Sequence, residues 1–145
     1  MAHRFVFLDD IAMADLAFDA EGDSLHDLFQ GATDALIGAL ANPAGVGTTW
    51  QKVIDREDMD PAALLFDWLS DLVYWKDADG VVFNKSVISL TQGAEGAWRL
   101  SARLYGEPVQ NATQELRSDV KAVTKHLYRL ACEGGMWRVR VVLDV

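Results

Sequence analysis

Apolar and polar positions alternate with a period of two at both ends of this chain and with a period near 3.6 in two internal stretches. Val6 and Leu8 interleave with Phe5 and Phe7, so 4–9 reads as a strand that is apolar on both faces. A second strand runs through Ala14, Leu16 and Phe18. Asp15, Ala17 and Asp19 occupy its opposite face, and Gly22 ends it. Ser24 then caps a helix, and Asp27 near its start favours the amide-rich end. Leu25, Leu28, Phe29, Ala32, Leu36 and Leu40 form its apolar stripe, and Asn42-Pro43 with Gly45 stops it. Residues 46–56 read as a strand of mixed pattern. Asp60-Pro61 starts a second helix, an acidic cap followed by proline at the first helical position. Leu64, Leu65, Phe66, Leu69, Leu72, Val73 and Trp75 give that helix a broad apolar face, and Asp77-Ala78-Asp79-Gly80 predicts a turn.

Beyond Val81 every segment reads as β. Strands are expected at 82–91 and 97–105, with a turn at 93–96. An irregular polar stretch spans 106–117, then strands at 119–131 and 136–145 flank a Gly134-Gly135 hairpin. Trp98, Leu100, Ala102 and Leu104 should face inward, with Arg99 and Arg103 outward. In the last strand Trp137, Val139, Val141 and Leu143 share one face, and Arg138 and Arg140 the other. The order ββαβαββββ is that of an α+β fold: two helices packed on one side of a curved mixed or antiparallel β-sheet. With no linker and no repeat, residues 1–145 are expected to form a single domain.

Charge sharpens this picture. The net charge is −9, yet residues 98–145 carry eight basic side chains against five acidic, while residues 1–97 carry five against seventeen. An acidic chain is poorly suited to non-specific nucleic-acid binding, which needs many phosphate contacts. No apolar run approaches the length that spans a bilayer. MAHRFVFLDD has only a short apolar run before two aspartates and does not read as a signal peptide. With a single cysteine, Cys132, the chain is expected to be cytoplasmic.

The chemistry the residues support is narrow. GAEG at 93–96 lacks the context of a phosphate-binding loop, and DADG at 77–80 lacks the closing glutamate of a calcium loop, since Ile88 stands there. His3, His26 and His126 are scattered without zinc-ligand spacing, and Cys132 has no adjacent histidine to activate it. The aspartates remain. Asp9, Asp10 and Asp15 lie near the start, and Asp144 sits beside the carboxylate of Val145 at the end of a strongly patterned strand. Burial of Asp15 between Ala14 and Leu16 would be costly unless it is paired or metal-bound. Two anionic oxygen groups at one strand end suit a hard cation if a third carboxylate joins them.

Several stretches resemble the archease family from end to end and in the same order. The VKAVTKH run at 120–126 with the WRVRVVLDV ending is similar to that family's most specific segment. DWLSDLVYWKDADGVVF at 67–83 resembles its second helix and following turn, ARLYGEPV at 102–109 the strand before its polar loop, and SLHDLF at 24–29 the start of its first helix.

The resemblance implies a two-layer α+β fold and an accessory role without an activity of its own. That role would be activation of an RNA ligase of the RtcB type, promoting its guanylylation and turnover in tRNA splicing or RNA repair. It also implies a divalent-cation site, usually calcium with magnesium possible, on Asp15, Asp144 and Val145. Nucleic acid would be involved only through the ligase, and no membrane. The family's His-Thr-Ala-Asp motif reads Ala12-Met13-Ala14-Asp15 here, its tyrosine before the final histidine is Lys125, and the loop QNATQELRSD at 110–119 lacks the usual proline and histidine. Two other readings compete: a chaperone-like or regulatory binding module with a different partner, and a small hydrolase built on Asp15 and Asp144. The second has no nameable base or nucleophile.

Overall fold

A computed structural model describes residues 2–8 and 15–145. The elements in chain order are β1 (His3–Leu8), β2 (Asp15–Gly22), α1 (Leu25–Leu40), a short 3₁₀ turn (Pro43–Gly45), β3 (Trp50–Asp58), α2 (Pro61–Asp79), β4 (Val81–Gln92), β5 (Trp98–Pro108), β6 (Ala122–Glu133) and β7 (Met136–Asp144). The fold is α+β. Instead of one curved sheet, the strands form two, ordered β1-β2-β7-β6 and β3-β5-β4, and every pairing is antiparallel. Both helices bridge the sheets: α1 packs on β1 and β2 of the first and β4 of the second, and α2 on β6 and β3. The first sheet takes the strands from both ends of the chain and the second those from the middle; α1 carries the chain from one to the other, and the polar segment between β5 and β6 carries it back.

Local chemistry explains the helix ends. The Ser24 hydroxyl accepts from the Asp27 amide at 3.1 Å, and the Asp60 carboxylate from the Ala62 amide at 3.0 Å, each satisfying an amide that the helix leaves open. The DADG stretch is no turn in its first three residues. Helix α2 continues to Asp79 and stops only at Gly80, whose φ of 61° is the left-handed C-cap that glycine adopts without strain. The far end of α1 has no basic residue in its last turn. The polar segment before β6 supplies one: Arg117 donates its guanidinium to the Gly38 carbonyl at 2.9 Å, and the Arg117 and Ser118 amides reach the Leu40 and Ala39 carbonyls.

The core lies between the helices and the inward faces of both sheets. Phe18, Leu28, Phe29, Leu36, Leu64, Leu65, Trp68, Leu72, Phe83, Leu100, Leu104, Val141 and Leu143 are fully enclosed. Trp68 lay outside the stripe read from the sequence, yet it is the largest fully buried side chain. Its indole N–H donates to Thr33 Oγ1 at 2.9 Å, and that hydroxyl donates to the Phe29 carbonyl at 2.6 Å, so the polar atoms buried with it are satisfied. Trp98 and Trp137, expected to be buried, are half-buried and pack against the rim of the core. Both sit near strand ends. Two glycines mark close approaches of backbone: a Cβ at Gly106 would collide with the Val82 carbonyl oxygen across β4–β5, and one at Gly22 would lie 2.5 Å from the Leu28 nitrogen.

Candidate functional site

Antiparallel register decides which side chains of the first sheet share its outer face. In β2 that face carries Asp15, Ala17, Asp19 and Glu21, and opposite them in β7 stand Asp144, Val142, Arg140 and Arg138. The alternation read from the sequence is therefore correct for both strands. Arg138 is exposed and Arg140 half-exposed, and neither is idle. Arg140 grips Asp19 with two hydrogen bonds of 2.8 and 3.0 Å, and Arg138 meets Glu21 at 3.0 Å. Arg4 of β1 binds the same Glu21.

At the other end of this ladder the charge pattern inverts. Asp15 and Asp144 are direct cross-strand partners, two carboxylates facing each other where the next charged pair is a salt bridge. Asp15 is half-buried and Asp144 exposed. Like charges in this position repel, which a cation between them would reverse. The Asp144 main chain is pinned by its carbonyl accepting the Lys121 amide at 2.7 Å, and Val145 follows directly. Among the described residues no three His, Cys, Asp or Glu side chains converge on one point, so side chains alone contribute two carboxylates here. The donor set, oxygen only, fits a hard divalent ion and not zinc. Asp9, Asp10, Ala12, Met13 and Ala14 lie outside the described residues.

The segment leading into β6, the most characteristic run in the sequence, borders this end. Asp119 binds Lys76 of α2 at 2.9 Å, and Asp77 meets the same ammonium at 2.8 Å. Burial of Lys76 works to lower its pKa, but the hydrogen bonds to Asp77 and Asp119 outweigh it and hold the value above the ordinary lysine range. The same bond holds Asp119 below the usual carboxylate range. After Thr124 the β6–β7 register breaks, and Leu127 takes a φ of 56°, a left-handed conformation unusual for a branched side chain. Within this bulge Lys125 lies 3.9 Å over the Phe66 ring, and the Tyr128 hydroxyl donates to the Ala62 carbonyl at 2.6 Å, tying β6 to α2. Burial, with Asp60 and Asp67 nearby, pushes the Tyr128 pKa well above the usual tyrosine value.

Sequence reasoning missed Lys76, the β6 bulge and the Asp19–Arg140 pair. Lys76 falls in a charged helix end that reads as solvated, and no pattern of residue types announces a bulge. The pair was half visible, since both members were placed on outward faces. Cys132 is exposed in the β6–β7 hairpin opposite Trp137, with no histidine against it among the described residues, so no nucleophile is assembled there.

A family profile described as the archease protein family matches residues 5–145. The chain belongs to the archease family. It is 29% identical to the protein archease of Methanothermobacter thermautotrophicus over 97% of this chain and 98% of that one. It is 30% identical to the protein archease of Methanopyrus kandleri, covering 91% and 94%. The solution structure of Methanobacterium thermoautotrophicum protein 1598 superposes with a TM-score of 0.79 at 27% identity, over 97% of this chain and 98% of the other. A Thermotoga maritima crystal structure, described as an archease and possible chaperone, shares the fold with a TM-score of 0.62 at 18% identity, covering 92% and 93%. No helix among the described residues is long and apolar enough to cross a membrane.

Proposed function

We propose that this archease is an accessory protein that activates an RNA ligase of the RtcB type, promoting guanylylation and turnover of the ligase in tRNA splicing or RNA repair. It carries a divalent cation, Ca²⁺ or Mg²⁺, on Asp15, Asp144 and Val145. One observation carries the reading: the β2–β7 register sets Asp15 directly opposite Asp144, with Val145 next in the chain. The ion would supply electrostatic order, neutralising two opposed carboxylates and fixing the end of the sheet against which the ligase docks. No bond-making step is assigned to it, and contact with RNA is through the ligase.

The deciding experiment incubates a purified RtcB-type ligase with GTP and measures guanylylated ligase with wild type, with Asp15→Ala and with neither. Stimulation by wild type and its loss in Asp15→Ala is the expected result. Equal stimulation by both would make the cation site structural at most. If wild type fails to stimulate a cognate ligase, a second reading takes over, a chaperone-like protein-binding module with another partner. That reading is favoured by Ala12 and Met13, which replace the family's polar His-Thr pair beside the cation aspartate.

A further inference from the structure

The outer face of the first sheet holds a groove of about 690 Å³, four residues along the strands from the Asp15–Asp144 pair, and so roughly 13 Å from it. Its floor is the salt-bridged part of the ladder. Two features of it are not explained by holding the sheet together. The first is charge. Arg129 of β6 faces Arg140 of β7 directly across the strands, and like charges so placed are destabilising. Arg140 is matched by Asp19, and Arg4 and Arg138 share the single carboxylate of Glu21. Arg129 has no ion-pair partner among the described residues. The groove is therefore cationic at its centre within a chain of net charge −9.

The second feature is apolar. Val6 on β1 and Leu127 on the β6 bulge line the same groove, 57% and 49% exposed. Leu127 lines it from a left-handed backbone, a conformation more easily filled by glycine or asparagine. An exposed leucine held in a strained conformation beside an unmatched arginine is a recognition feature with both chemistries side by side.

We infer that this groove docks an acidic segment of a protein partner, which places a carboxylate against Arg129 and Arg140 and an apolar side chain between Val6 and Leu127. A nucleic-acid strand fits less well. Asp19, Glu21 and Glu133 line the groove among the arginines and would repel a continuous phosphate backbone, whereas a peptide can alternate charge with apolar contact. The inference does not depend on the cation or on the ligase.

The test uses the intact protein with a labelled heptapeptide that has a central leucine flanked by glutamates, followed by fluorescence anisotropy and by amide chemical-shift mapping. Binding that shifts amides of β1, β6 and β7 around the groove is expected. Arg129→Glu should weaken it about tenfold or more. Leu127→Asn, which suits the left-handed backbone, should weaken it while leaving the spectrum otherwise folded, and Asp15→Ala should bind as wild type. An all-glutamate heptapeptide binding equally well would overturn the apolar half of the inference. A short oligouridylate displacing the peptide and binding more tightly would overturn it in favour of RNA. Absence of groove shifts at millimolar peptide would overturn it altogether.

Discussion

The two ends of the β2–β7 ladder have the same backbone geometry and opposite electrostatics. At Asp19 and Arg140 unlike charges meet in a bidentate pair, and the arrangement needs nothing further. Four residues away Asp15 and Asp144 meet as like charges, in a register just as tightly set by the antiparallel pairing between them. Between the two lie Ala17 and Val142, both buried although they are on the outer face, so the ends are insulated from each other by apolar side chains. The difference teaches where to look for function. A pair that stabilises the sheet by itself is part of the scaffold, and a pair that opposes pairing is the place to test for a ligand.

The largest effect should come from removing the support common to both ends. Phe18 lies on the core face of β2 between the two pairs and is fully buried. Phe18→Ala should cost on the order of 3–5 kcal/mol in denaturant unfolding and abolish the contrast by loosening both ends. A loss below ~1 kcal/mol would mean that β2 is not an anchored strand.

Next comes the acidic end alone. Calcium at a hundredfold excess over its Kd should stabilise wild type by about 2.7 kcal/mol and leave Asp144→Ala unmoved in thermal unfolding. In the presence of a chelator, Asp144→Asn should be a few tenths of a kcal/mol more stable than wild type, because it relieves the cross-strand repulsion. Calorimetric titration without heat from any divalent ion would remove the cation from the account.

The scaffold end calls for a double-mutant cycle. Asp19→Ala, Arg140→Ala and the double variant should give a coupling of about 1 kcal/mol, charge-assisted but reduced by the partial exposure of both side chains. The coupling should fall at high salt, and calcium should not change it. A calcium-dependent coupling would show that the two ends communicate across Ala17 and Val142.

The smallest effect concerns the segment that delivers the Lys121 amide to Asp144. Asp119 has a folded-state pKa below the usual range, so its contribution is present above about pH 4 and is lost as pH falls through the lowered value. Lys76 has a raised one, so its contribution holds below about pH 10 and is lost as pH rises past the folded value. The stability difference between wild type and Asp119→Asn should therefore be flat from about pH 5 to 9 and shrink in acid. A difference that grows on acidification would contradict the Lys76 pairing.

Much of this was legible in the residues alone. Alternation in 15–22 and 136–144 placed Asp15, Asp19, Arg138 and Arg140 on outward faces, because side-chain direction in a strand depends only on parity. Ser24 and Asp60-Pro61 located both helix starts through short-range hydrogen-bond chemistry. The resemblance singled out Asp15, Asp144 and Val145, and the register shows how the two aspartates meet. Half-burial of Trp98 and Trp137 was not legible, since alternation gives the face of a side chain and not how much of the fold covers it near a strand end. Pairing of Lys76 depends on Asp119, more than forty residues away, folding back onto α2.

What the sequence determined by itself is the local part: strands, helices, caps and the face each side chain takes, all governed by interactions within a few residues. Tertiary structure decided the division into two sheets, the opposition of Asp15 to Asp144 and the meeting of Arg129 with Arg140. Each of these joins positions brought together by strand order and register. A shift of one residue in register would turn the side chains of a strand to the other face and leave its sequence pattern unchanged. Only packing of both helices against both sheets selects among the registers that the pattern alone allows.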